Sequence, residues 1–303
     1  MSDLQIGLSA PDNLGRFDPD AQRAALAAIA DAGIDHVFTA DHVSFIDGSG
    51  IDGPVRLAAL GALEPRLGLH LGVMLLALRH PLVAARQIAT LAEYAPGRVS
   101  IGVGVGGEDR HEFEVCEVDP ATRGRRTDVE LDIVRRLLDG ETVDGDGEFF
   151  SFEQARIRPI PRQRIPFVVG GRSNAALDRA GRLGDGWLAA WCSPRRFAEG
   201  TALVEQVGID RDVDWHHGLQ IWAGVGADAA EGRTHVAAGM QRFYGMPFEP
   251  FEKYTPVGTA DDIVAFLEPF VEAGAKTLSL KACGPDPETE LEVIAEVAAR
   301  LRR

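Results

Sequence analysis

Apolar residues along the chain fall into short β-type runs that alternate with longer stretches of helical period. Runs near 5–9, 36–40, 67–75, 99–103, 167–170, 187–190, 219–225 and 277–280 predict strands. Helical patterns follow at 19–32, 54–64, 81–94, 123–139, 173–183, 194–207, 228–240 with 260–273, and 288–302. In the last of these, Ile294, Val297, Ala298 and Leu301 share one face. Ile263, Phe266, Leu267 and Phe270 repeat that spacing between a Thr259 N-cap and a Gly274 stop. One joint recurs: Gly33 and Gly274 each end a helix, with a β-type run starting just beyond. Eight such units predict an α/β protein, a parallel (β/α)8 TIM barrel, and 303 residues suit one barrel domain over 1–303. An open doubly wound sheet would need a phosphate loop after the first strand. Ser9-Ala10-Pro11-Asp12-Asn13 has no glycine fingerprint.

Two intervals exceed a normal βα unit. Residues 140–165, around Glu148-Phe149-Phe150-Ser151-Phe152, read as an inserted hairpin. Residues 241–256 carry Phe243, Tyr244, Met246, Phe248, Phe251 and Tyr254 and read as an irregular segment. A lid over an apolar ligand, a contact between copies and plain packing all fit that composition.

The net charge of −15 argues against nucleic acid and anionic membrane as partners. It also means that an anionic ligand must be held by local groups. The longest apolar run, 67–78, is too short to span a bilayer. The start of the chain lacks signal-peptide organisation. The three cysteines form no C-x-x-C pair, which fits a reducing cytoplasm, the expected location.

Candidate chemistry lies at the strand ends, where barrels place it. The stretch 166–187 runs from an apolar strand through Gly170-Gly171-Arg172-Ser173 into a small-residue helix. Paired glycines let the backbone approach an anion, and the helix N-terminus offers free N–H groups to it. The same four residues also read as a tight turn capped by Ser173. The second strand ends in Asp41-His42, an acceptor beside a group that titrates near neutrality, suited to proton or hydride chemistry; a loop cap and a solvated imidazole are the alternative. His80, before Pro81, reads as the neighbour of a helix start or as a ligand contact. Gly102, Gly104, Gly106 and Gly107 leave room for a flat ligand against the fourth strand, or form a flexible loop.

Metal chemistry finds no support in the spacing: there is no H-x-H in the first strand, and His216-His217 reads as a surface pair. Lys281 at the eighth strand end suits a Schiff base or an anion contact. No G-x-S-x-G elbow is present.

Taken together, Thr39-Ala40-Asp41-His42, Arg79-His80-Pro81 with Ala89-Thr90-Leu91, Gly97-Arg98-Val99 running into Gly102–Gly106, Glu112-Phe113, Arg123-Gly124-Arg125-Arg126, Val169–Ser173 and Gly184-Asp185-Gly186-Trp187 resemble the luciferase-like monooxygenase superfamily, and within it the coenzyme F420-dependent oxidoreductases. The resemblance implies a bacterial-luciferase-like barrel with the deazaflavin ring across the strand mouths. It implies Asp41 against the cofactor and His42 at the hydride-transfer face. It implies a bulge at Gly72-Val73-Met74, with a non-proline cis bond, behind the ring, and the cofactor phosphate in the Gly170–Ser173 turn. The expected cofactor contacts are Asp41, Val73, Met74, Gly104, Gly106, Gly107, Gly170, Gly171, Arg172 and Ser173. A homodimer and a small-molecule substrate are also implied.

There is one departure. Sugar-phosphate dehydrogenases of this family place a proton-donating Glu directly after the strand-four G-x-G turn. Here that position is Gly107, and Glu108 is displaced by one, which leaves Glu108 as the candidate donor and argues for an apolar or carbonyl-type substrate. The leading expectation is hydride transfer between F420 and a small organic molecule. An FMN-dependent monooxygenase would use the same residues. A non-redox aldolase or isomerase built on Lys281, and a flavin-binding protein without turnover, are the readings from other classes.

Overall fold

The computed structural model describes residues 4–11, 18–107 and 109–303. Eight parallel strands, numbered in chain order, close on themselves. They are β1 (Gln5–Ser9), β2 (His36–Thr39), β3 (Gly68–Leu75), β4 (Val99–Gly104), β5 (Phe167–Gly170), β6 (Gly186–Ala189), β7 (Gly218–Val225) and β8 (Thr277–Cys283). Each pairs with its neighbour, and the ring shuts where Gln5 of β1 lies opposite Thr277 of β8. The predicted (β/α)8 barrel is therefore the observed one, with strand and helix positions close to those read from periodicity. No helix among the described residues is long and apolar enough to cross a membrane.

The alternation along each strand sorts residues between two layers. Ile6, Leu8, Val37, Leu69, Leu71, Ile101, Val103, Val169, Ile221, Leu278 and Leu280 point outward into the main hydrophobic core beneath the helices. The intervening positions, many of them polar or glycine, with Phe38, Val168, Leu188 and Trp222 among the apolar ones, face the barrel axis. Gln220 on β7 donates to the carbonyl of Gly72 on β3 at 2.9 Å, and since those strands are not neighbours the bond crosses the interior. Deeper in the barrel, His36 Nε2 meets Ser279 Oγ at 2.9 Å and His70 Nδ1 meets Ser100 Oγ at 2.7 Å. The two imidazoles stand edge-on at 5.9 Å. Burial, aided by the neighbouring His70, holds His36 down at about 3, and burial holds His70 at about 4, so both are neutral at pH 7. Space for His36 exists because residue 7 is glycine: a Cβ there would lie 2.0 Å from His36 Nε2.

Helix starts at the barrel mouth are tied by side-chain caps. Asp52, Asp109, Ser173, Ser193, Asp228, Thr259 and Asp286 each accept a backbone N–H of the helix they precede. His80 does the same, its Nδ1 accepting from Leu82 N at 3.3 Å, and its ring packs on Phe150 and Phe152. His80 is thus the N-cap itself and not merely the neighbour of the helix start.

Besides the expected inserted hairpin, three features depart from the sequence reading, each with a local cause. The inserted hairpin is present as antiparallel strands Val143–Asp146 and Ser151–Ala155. A second hairpin, His42–Phe45 with Ser49–Ile51, was not anticipated; its turn at Asp47-Gly48 uses a left-handed Gly48 at φ 87°. The aromatic segment is less irregular than expected, because Ala229–Tyr244 stays helical through Phe243 and Tyr244 and stops at a left-handed Gly245. His217 is not a surface residue: it is 4% exposed, and its Nδ1 accepts the backbone N–H of Trp187 at 3.1 Å.

Candidate active site

The loop after β2 divides two adjacent residues between structure and chemistry. Asp41 is 1% exposed. Its carboxylate accepts from Arg79 at 2.6 and 2.7 Å, from Gly53 N at 2.9 Å and from Leu75 N at 3.1 Å. These four bonds fill the acceptor directions of a carboxylate. The ligand contact implied for Asp41 is not open to its side chain; it instead locks Arg79 and the ends of β3 and the helix Gly53–Leu63 in place. Arg79 also reaches Asp52, the cap of that helix, at 3.2 Å.

His42 turns the other way. Its Nδ1 lies 3.1 Å from Glu112 Oε2 and 3.3 Å from Oε1. Glu112 sits on the short helix Arg110–Val115, with its side chain 2% exposed, while that of His42 is 19% exposed. Glu112 Oε1 also accepts from Val43 N at 2.7 Å and Ser44 N at 3.2 Å. Burial alone would raise the Glu112 carboxyl, but the His42 imidazole and these two amides outweigh it and hold the group below its ordinary range. In the sequence Glu112 stands only within the Glu112-Phe113 motif, and nothing in its spacing assigns it a role. With the carboxylate as acceptor, the His42 proton belongs on Nδ1, leaving Nε2 to accept. The ring stacks on Phe45 at 4.2 Å and faces Phe243 at 6.3 Å.

Beside this dyad β3 changes phase. Its register with β4 shifts between Leu71 and Met74, and the Gly72–Val73 peptide is cis. The bulge expected at Gly72-Val73-Met74 is present; the shift turns Val73 toward the mouth and sends the Met74 side chain into the outer core at 0% exposure. Val73 nests in a glycine cradle. A Cβ on Gly102 would come within 3.0 Å of Val73 Cγ1, one on Gly104 within 2.3 Å of Cγ2, and one on Gly170 within 3.3 Å of Cγ1. The alternate glycines therefore make room for a protein side chain, and Val73 is the surface they present. Gly106 (φ 60°) and Gly107 (φ 121°) are likewise crowded by Phe113 and by Arg123, whose Nε is buried without a partner. Glu108 lies outside the described residues.

The β5 turn has the form the sequence suggested. Gly171 is left-handed at φ 128°, and Ser173 caps the ten-residue helix Asn174–Leu183. Arg172 is exposed with its guanidinium 5.9 Å above the Trp191 ring. Arg196 joins from the next helix, donating to Asn174 Oδ1 at 3.0 Å. A helix N-terminus flanked by two guanidiniums suits a phosphate ester. It also compensates locally for the overall negative charge.

Over the β7–β8 side lies an aromatic wall. Trp222, Phe243 and Tyr244 pack on one another, Trp191 reaches Tyr244 and Phe251, and Phe45 closes on Phe243 at 5.7 Å. Lys281 Nζ sits 4.6 Å from both the Trp222 and Phe243 ring centres. Sequence had marked the aromatic stretch but not its convergence on His42, which depends on the helix running on to Tyr244.

The family model for luciferase-like monooxygenases matches residues 4–277. The chain belongs to that family. An uncharacterized protein of Mycobacterium tuberculosis is 37% identical over 177 residues, a match covering 57% of this chain and 61% of that relative's length. An F420-dependent glucose-6-phosphate dehydrogenase of Rhodococcus hoagii is 27% identical, with 99% of this chain and 98% of the relative covered. Among solved structures, an F420-dependent secondary alcohol dehydrogenase in complex with an F420-acetone adduct superposes with a TM-score of 0.85 over the full length of both chains at 20% identity. At that identity the likeness is one of fold.

Proposed function

We propose that this chain is an F420-dependent oxidoreductase that transfers hydride between the deazaflavin and a small carbonyl or alcohol. The observation that carries the reading is the His42–Glu112 dyad, opening between the Val73 surface and the aromatic wall. The F420-dependent dehydrogenases among its full-length relatives support the choice of cofactor.

The residues present fit such a cofactor. Val73 offers an apolar support for a flat ring, Gly171, Arg172 and Ser173 with the N-terminus of Asn174–Leu183 suit its phosphate, and the indole N–H of Trp191 is a buried donor with no partner among the described residues. When bound, the deazaflavin supplies the carbon that gives or takes hydride. The chain handles the proton. His42 Nε2 receives it from the substrate hydroxyl, or returns it to the carbonyl oxygen, while Glu112 stabilises the imidazolium through Nδ1. Phe45, Phe243 and Trp222 exclude water and suit a compact, largely apolar substrate. Asp41 and Arg79 act beneath the site as positioning residues.

Titration of the purified protein with F420 and, separately, with FMN tests the reading, followed by cofactor fluorescence and by colour retained after desalting. Tight F420 binding and turnover of small alcohols or carbonyls is the expected result. Preference for FMN would move the chain to oxygen-using chemistry, and binding of neither would remove the redox assignment.

A further inference from the structure

Trp191 follows β6 in a backbone conformation that bulky residues rarely adopt, with φ at 45°. Its indole Nε1 is buried and has no hydrogen-bond partner among the described residues. Native proteins leave few such donors unmet. The same corner shows how the need is usually satisfied: Trp187 Nε1 donates to Gly171 O at 2.7 Å. The two tryptophans therefore flank one turn, one holding it from below and the other with its N–H unspent.

Where Trp191 sits tells what that donor is for. Arg172, from the glycine turn, covers one part of its ring at 5.9 Å, while Phe251 at 4.7 Å and Tyr244 at 5.9 Å pack from the aromatic wall. The residue bridges the anion-suited turn and the reaction compartment, the interval that the arm of a phosphate-bearing cofactor has to cross. The other unpartnered atoms of the barrel axis, His70 Nε2 and Gln220 Oε1, belong to the interior layer below the mouth.

We propose that Trp191 is a cofactor-binding residue whose indole N–H donates to an oxygen of the cofactor's polyol–phosphate arm; this rests on the cofactor reading above. The left-handed backbone turns the indole toward that arm, and Arg172 packed on the ring ties the donor to the phosphate turn. The proposal makes an unusual thermodynamic demand. No group among the described residues takes this N–H, so its removal costs the free protein little while it weakens the bound state.

The test compares Trp191→Phe with Trp187→Phe, measuring the ligand-free Tm and the F420 and FMN dissociation constants by cofactor fluorescence. Trp191→Phe is expected to leave Tm unchanged or raised and to weaken binding of the preferred cofactor about tenfold. Trp187→Phe, which loses a bond made within the protein, is expected to lower Tm. A Trp191→Phe protein with wild-type affinity, or one with lowered Tm and unchanged affinity, overturns the proposal. Should the variant fold poorly, the wild-type indole N–H resonances serve instead. The Trp191 signal is expected to shift and exchange more slowly on cofactor addition, and an unmoved signal in a saturated protein overturns the assignment. Failure of the wild type to bind either cofactor brings down the functional reading as well, which separates the two failures.

Discussion

His42 Nδ1 and Glu112 Oε2 stand 3.1 Å apart although seventy positions separate them in the chain. A buried carboxylate behind an imidazole fixes the tautomer and stabilises the charged form, so the pair functions as a unit. Glu112→Gln keeps the shape but offers an amide that can donate to Nδ1 and reverse the tautomer. We expect kcat/KM to fall about 10²-fold, and His42→Ala to cost about 10³-fold, with cofactor affinity within threefold of wild type in both. Steady-state kinetics beside a fluorescence titration would decide it, and a Glu112→Gln enzyme with near-normal turnover would remove the dyad from the chemistry.

Asp41 makes a different prediction, for stability. Replacing Arg79 by Met strands a carboxylate that is 1% exposed. Breaking a buried pair from one side costs roughly 3–5 kcal/mol, whereas removing both charges costs less. Urea unfolding of Arg79→Met should show this loss, and adding Asp41→Asn should recover part of it. A double variant whose loss equals the sum of the Arg79→Met and Asp41→Asn losses would mean that the pair is not coupled.

The Val73 cradle can be tested by overpacking. Gly104→Ala puts a methyl 2.3 Å from Val73 Cγ2. Such crowding costs about 1–3 kcal/mol, and the loss should shrink when Val73 is also changed to Ala. Tm values for the two singles and the double give the coupling, and additive effects would contradict the nesting.

The barrel interior predicts acid sensitivity. His36 and His70, held at about 3 and about 4, stay neutral in the folded protein while the unfolded chain takes up protons below pH 6.5. A histidine whose folded value is lowered binds more protons when unfolded, so stability falls as pH drops from 6.5 toward those values. Between pH 7 and 5 each contributes a loss of about 2 kcal/mol. His217, lowered to about 4 by burial first and then by Lys276 and His216, adds a third effect of the same sign. His70→Asn should flatten the profile of urea midpoints against pH; an unchanged slope would show that His70 is protonated in the folded state.

Much of this was legible beforehand. Strand β5 and the helix Pro81–Tyr94 fall where periodicity put them, because parallel strands covered on both faces read as unbroken apolar runs. Asp41-His42 and the Gly170–Ser173 turn were visible because strand ends and glycine pairs are local features. Glu112 was not, since nothing in its spacing announces a contact with residue 42. Which of Val73 and Met74 faces the mouth was not legible either, because a one-residue register shift reverses the side chains and residue identity does not encode that shift. The hairpin from His42 to Ile51 left one usable signal, Asp47-Gly48, which favours a tight turn.

The 2.0 Å gap between the missing Cβ of Gly7 and the His36 imidazole also bears on how this barrel can diverge. Any side chain at position 7 collides with a ring that Ser279 holds from the far strand. A descendant sequence can gain residue 7 only after position 36 has given up its histidine, and the reverse order is closed. The two sites, opposite each other in the paired strands β1 and β2, should covary, glycine persisting at position 7 wherever histidine holds position 36.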